Sequence, residues 1–88
     1  EVEYTKRFLK ELSKLPSTIQ RQFEQIVFVE LLKYDPFQLS YIKKLVGYHD
    51  KYKIRKGDYR LGLTIKKKEK KIICQRIAHR KIIYKIFP

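Results

Sequence analysis

The 88-residue sequence is short of cysteine, histidine, glycine, proline and acid: it has one cysteine, two histidines, three glycines, three prolines and only nine aspartate or glutamate residues. The lone Cys74 cannot close a disulfide within the chain. His49 and His79 are thirty positions apart with no CxxC pattern beside them, which excludes a structural zinc site. No metal or organic cofactor is expected. No apolar run approaches the roughly 20 residues that a membrane-spanning helix needs, and no signal peptide is expected, so the sequence reads as a protein of the reducing cytoplasm with no membrane partner. Repeats, low-complexity blocks and interdomain linkers are also missing. A chain of this length has surface to bury for one core, and a single domain over residues 1–88 is expected.

Against the nine acids stand 22 lysines and arginines, a formal net charge of +13. A field of that sign gathers polyanions and speeds their arrival, so on charge alone nucleic acid, an acidic protein or an anionic membrane is the expected partner and small neutral substrates are not. Solubility alone asks for a net charge nearer 2–8 in a small domain.

Hydrophobic residues make up 43% of the chain, and their spacing divides it. Val2 and Tyr4 alternate with Glu1 and Glu3, the pattern of a short strand, and Thr5 can cap the helix that follows. Phe8, Leu9, Leu12 and Leu15 recur at three and four, giving an amphipathic helix that Pro16 closes. A second helix starts at Ser17 or Thr18 and carries its apolar stripe through Phe23, Ile26, Val27 and Leu31 to about Lys33. Asp35-Pro36 signals a turn, and residues 37–46, which have no clean period, read as a connecting loop ending at Gly47. Tyr52 and Ile54 then alternate with Lys53 and Arg55. The chain turns at Lys56-Gly57-Asp58, and Tyr59, Leu61, Leu63 and Ile65 alternate with Arg60, Gly62 and Thr64, as in a hairpin with one apolar face. The lysine-rich stretch 66–71 is a solvated turn before a third strand over Ile72–Ala78, and a short helix or tail follows. The class expected is α+β: a small antiparallel sheet of the N-terminal strand plus three C-terminal strands, covered on one face by an N-terminal helical hairpin.

Side chains two apart on a strand share a face, so Lys53, Arg55 and Arg60 leave the sheet opposite the core, and Arg76 and Arg80 are expected to join them. Exposed sheets ordinarily mix signs across strands. A cluster of one sign is favourable where an anion is to be held.

The stretch KLVGYHDKYKIRKGDYRLGLTI, Lys44 to Ile65, followed by RIAHRKIIY, Arg76 to Tyr84, resembles the RelE/ParE toxin superfamily, and TKRFLKELSKLP, Thr5 to Pro16, is similar to the opening helix of that family. The resemblance implies a toxin of a type II toxin–antitoxin system. In the RelE branch it implies a metal-independent endoribonuclease, an mRNA interferase that enters the ribosomal A site and lets the message's own 2′-hydroxyl attack the next phosphate. Family positions fall on Lys53, Arg55, Arg60, Arg80 and Tyr84 as the catalytic set; Lys51, Lys56, Arg76 and His79, basic residues around them, are expected as further RNA-binding residues. Guanidinium forks at Arg60 and Arg80 suit a phosphorane that gains negative charge. Lys53, crowded by like charges, is the expected base, and Arg55 stabilises charge, because a guanidinium does not give up its proton. Tyr84 can stack on a base. His79 either protonates the leaving 5′-oxygen or orients the turn into the last segment, and the second role is the one favoured.

Two departures matter. Some relatives carry a glutamate base ahead of the hairpin, but residues 38–46 hold no carboxylate. The ParE branch shares the fold, lacks the catalytic set and acts on DNA gyrase, so gyrase inhibition without RNA cleavage is the alternative. Partners implied by the resemblance are an acidic, RelB-like antitoxin, the ribosome through small-subunit rRNA, and mRNA. Phe8, Leu12, Phe23, Val27 and Phe28 are candidates for the antitoxin's docking surface.

Overall fold

Thr5 turns the chain from strand into helix. Its side chain accepts from the Phe8 N–H at 3.0 Å and donates to the Gln75 carbonyl at 2.8 Å, so one residue caps the first helix and ties it to the last strand. The computed structural model describes residues 1–88. In it β1 (Val2–Tyr4) leads into α1 (Lys6–Leu12), which buries Phe8 and Leu12. Pro16 precedes α2 (Ser17–Gln25), which continues through a π-helical turn (Ile26–Glu30) into α3 (Leu31–Lys33). The Tyr4 hydroxyl donates to the Val27 carbonyl within that widened turn, at 2.6 Å. The Asp35 side chain accepts from the Phe37 N–H at 2.9 Å and starts a 3₁₀ turn at Pro36.

The rest of the sheet is β2 (Ile42–Lys44), β3 (Lys51–Lys56), β4 (Tyr59–Lys66) and β5 (Lys71–His79), and α4 (Ile83–Ile86) follows. Gly57 and Asp58 form the two-residue loop between β3 and β4. Gly57 alone has positive φ there, +55°, as a type II′ hairpin turn requires at its first central position.

The α+β class is as expected, and three details differ. The strand order is β1-β5-β4-β3-β2, and β1 runs parallel to β5, so the sheet is mixed. Tyr4 opposite Cys74 and Thr5 turning at once into α1 leave no hairpin by which β1 could reverse. A fifth strand, β2, lies within the expected loop and pairs antiparallel with β3. Its outward pair is Lys43 beside Lys53, while Ile42 extends the cross-strand row Ile54–Leu61–Ile77.

The third difference positions the site. Phe8, Phe23, Ile26, Val27 and Leu31 pack on Ile54, Leu61, Leu63, Ile72 and Cys74, filling the helix-covered side. The opposite side is not bare: Leu45, Ile83 and Phe87 form a second cluster with Ala78 and Ile86. Burying Phe87 there is worth about 2–3 kcal/mol, which holds the C-terminal helix on the sheet. Gly62 permits it, because a Cβ at that position would overlap the Phe87 ring.

Candidate active site and nucleic-acid interface

Alternation along β3 sends Tyr52 and Ile54 into the core and Lys53 and Arg55 to the other side. Register then builds the site: Lys43, Lys53 and Gly62 stand abreast on β2, β3 and β4, and Arg55 stands opposite Arg60 at the hairpin end. Beyond β5, Arg80 and Tyr84 approach from the C-terminal segment. Lys53, Arg55, Arg60, Arg80 and Tyr84 all line one open cleft of about 790 Å³.

Several contacts fix their positions. The Arg60 guanidinium donates from Nη1 to the carbonyls of Gly57 at 2.8 Å and Tyr59 at 3.0 Å, which leaves Nε and Nη2 for a ligand. The Arg80 N–H donates to the Asp58 carbonyl at 2.7 Å, and its side-chain Nε lies 3.7 Å from the Asp58 carboxylate at the exposed rim. The hairpin tip therefore positions both arginines. The Lys53 ammonium sits 5.7 Å from the centre of the Tyr84 ring, which is half exposed.

No carboxylate lines the cleft. Its remaining residues are Tyr41, Lys43 and Lys81, which sequence reading missed. Tyr41 and Lys43 are two apart and flank Ile42, a period-two signal too short to stand out from the segment around it. Six cations, of which only Arg80 has a carboxylate near it, Asp58 at the rim, make a strong positive focus. Guanidinium forks of this kind match phosphate oxygens in pairs.

The four other residues expected to bind RNA lie outside the cleft. Arg76 has the expected row, opposite Gly62, but its guanidinium is taken by Glu11: Nη2 to Oε2 is 2.7 Å and Nε to the two oxygens 3.1 and 3.2 Å, and Glu11 also accepts from the Ile77 N–H at 3.0 Å. Hydrogen bonding to Glu11 raises the Arg76 pKa. Lys51 donates to the Thr64 hydroxyl at 3.0 Å and lies 3.6 Å from Asp50, on the side of the C-terminal segment where Arg76 also lies. Lys56 borders the cleft through Tyr41, with its ammonium 5.6 Å from that ring. His79 Nδ1 accepts from the Lys81 N–H at 3.2 Å, and its ring meets Tyr59 edge-on. It is occupied in the turn that delivers Arg80 and Lys81.

The fold is a helix-backed sheet with a cationic cleft on its other face, and the comparisons narrow the class to protein toxins. The family described as the ParE toxin of type II toxin–antitoxin systems, parDE, matches residues 2–84. Toxin RelE3 of Methanocaldococcus jannaschii is 36% identical over 95 aligned residues, which span 100% of this chain and 99% of that one. Among solved structures, the toxin of a RelB–RelE antitoxin–toxin complex from Methanococcus jannaschii has a TM-score of 0.76 at 34% identity over 98% of this chain and 99% of that one. The archaeal RelE–RelB complex from Pyrococcus horikoshii gives 0.72 at 31% identity, over 91% and 93%. The chain belongs to the RelE/ParE superfamily of type II toxin–antitoxin toxins. No helix is long and apolar enough to cross a membrane.

Proposed function

We propose that this single-domain toxin is an endoribonuclease that cuts messenger RNA in the ribosomal A site of the cytoplasm. The observation that carries this reading is the convergence of Lys53, Arg55, Arg60, Arg80 and Tyr84 on one cleft free of carboxylates. The 2′-oxygen attacks phosphorus, the bond to the 5′-oxygen breaks, and a 2′,3′-cyclic phosphate and a 5′-hydroxyl result. Lys53 is the base that takes the 2′-proton, and an ammonium lining the cleft returns one to the leaving oxygen. Arg55, Arg60 and Arg80 neutralise the charge that grows on the phosphorane. Tyr84 holds a base by stacking. With no paired acid and base in the cleft, alignment supplies much of the acceleration, and a ribosome that presents the codon in fixed geometry provides it.

The partner that silences the toxin is an acidic, RelB-like antitoxin. Structures of related toxins from Methanococcus jannaschii and Pyrococcus horikoshii are RelB–RelE complexes. The docking stripe is narrower than the sequence suggests. Phe8, Leu12, Phe23 and Val27 are buried in this chain's own core, and Phe28, Val29 and Leu32 are the apolar residues facing outward on the second helical segment.

A second reading is gyrase inhibition without RNA cleavage, favoured by the ParE name of the matching family. The cationic set in the cleft favours cleavage. Mapping mRNA 5′ ends in translating extracts with the wild type, Arg60→Ala and Arg80→Ala decides between them. Cuts inside codons that vanish in both variants support the nuclease, and intact message with stalled gyrase supports the second reading.

A further inference from the structure

Tyr41 is the cleft residue whose chemistry the reaction leaves unused. Its hydroxyl donates to the Glu30 carboxylate on the π-helical turn. Burial, that hydrogen bond and the carboxylate's charge all raise its pKa above the ordinary tyrosine value. The proton is committed, so the hydroxyl can neither protonate a leaving group nor donate to a phosphate. What remains for the cleft is the ring. Lys56 lies 5.6 Å from its centre, and Lys53 lies 5.7 Å from the centre of Tyr84. Neither lysine is paired with a carboxylate. Tyr41 and Tyr84 thus line one cleft, each ring with a free ammonium near it: Tyr41 stands just before β2, with one side packed against the main core, and Tyr84 comes from α4.

In-line attack needs the 2′-oxygen, the phosphorus and the 5′-oxygen nearly collinear, and two bases stacked on each other do not allow it. Holding only one base leaves its neighbour free to restack. We propose that Tyr41 and Tyr84 are paired base platforms: the cleft takes two consecutive nucleotides splayed apart, one base on each ring, with the phosphate between them on Arg55, Arg60 and Arg80. This rests on the RNA-cleaving reading, since only cleavage requires the step to be opened. The arriving bases displace Lys53 and Lys56 from the rings, which turns Lys53 toward the 2′-hydroxyl and Lys56 toward the backbone. Every base has a π-face, so Tyr41 contributes geometry and little sequence preference.

The test uses wild-type protein and a dinucleotide, whose single phosphate fixes the register. The attacked nucleotide is 2′-deoxy so that nothing is cut, and 5-iodouracil stands on one side of the phosphate or the other. Irradiation is expected to join one isomer to Tyr41 and the other to Tyr84, read by mass spectrometry of the digest. Absence of any Tyr41 adduct, or both isomers joined to one tyrosine, overturns the arrangement. In parallel, Tyr41→Leu is expected to weaken binding of the same dinucleotide at least about fivefold, the low end for one lost stack, while Tyr41→Phe stays within about twofold. Unchanged binding by a folded Tyr41→Leu overturns the proposal as well. The nuclease reading fails separately, if message stays intact with wild-type toxin, whereas the platforms can fail while wild-type cleavage is untouched.

Discussion

Phe87 lies directly over Gly62, in the space that a β-carbon would occupy. The contact joins the middle of the sheet to the C-terminal segment, and through it sets where Tyr84 enters the cleft. Gly62→Ala forces the buried Phe87 ring aside and moves the segment with it. We expect a loss of about 1–3 kcal/mol in urea unfolding and a fall in cleavage by the molecules that remain folded, because Tyr84 is no longer held near Lys53. Unchanged stability and cleavage would show that the segment does not depend on this contact.

Glu11 binds Arg76 and the Ile77 N–H together. Removing it as Glu11→Ala strands a guanidinium and a backbone donor at the edge of β5, a cost of about 2 kcal/mol. The arginine therefore has a structural task. Arg76→Ala is expected to lower the unfolding midpoint while the folded fraction cuts message at the wild-type rate. A folded Arg76→Ala that binds RNA normally but has lost cleavage would return this residue to the site.

Arg55 and Arg60 stand opposite each other, as do Lys43 and Lys53. Like charges in that relation destabilise a sheet by a few tenths of a kcal/mol per pair. Arg55→Gln is expected to raise the melting temperature at low salt, with the gap to wild type closing as salt screens the repulsion, and to abolish cleavage. A variant less stable than wild type at low salt would mean that the cluster does not repel itself.

Burial pushes the Cys74 thiol up to about 12 from its ordinary 9.0. The folded state therefore keeps a proton that the unfolded state gives up above pH 9, and stability falls as pH rises from there toward the folded value. Lysines titrate in the same window, so the difference between wild type and Cys74→Val isolates the thiol. That difference should move against wild type by up to about 1.4 kcal/mol per pH unit between pH 9 and 11. Alkylation of native Cys74 at pH 8 should also be far slower than in urea. A flat difference and fast native labelling would place the thiol in contact with water.

Much of this architecture is legible in residue order because alternation is local. Lys53 and Arg55 against Tyr52 and Ile54 set the face of β3, and Gly57 with positive φ sets the hairpin that brings Arg60 beside Arg55. What alternation does not carry is the partner. Arg76 has the expected row, yet Glu11, 65 residues earlier, claims it. The direction of β1 depends on Thr5 meeting the end of β5, again a long-range fact. β2 is three residues long, and only its pairing with β3 distinguishes it from loop; with it went Tyr41 and Lys43. The C-terminal cluster was hidden for a different reason. Ile83 and Phe87 are four apart, as on one helix face, but Leu45 is 42 positions before Phe87, and nothing local says which side of the sheet they share.

The most direct measurement uses ribosomes stalled with one defined codon in the A site and this toxin added in single-turnover excess. One cut within that codon is expected, with a 2′,3′-cyclic phosphate and a 5′-hydroxyl at the new ends, and no cut when the attacking nucleotide is 2′-deoxy. A message left whole, or one cut with the 2′-hydroxyl removed, would contradict the proposed cleavage.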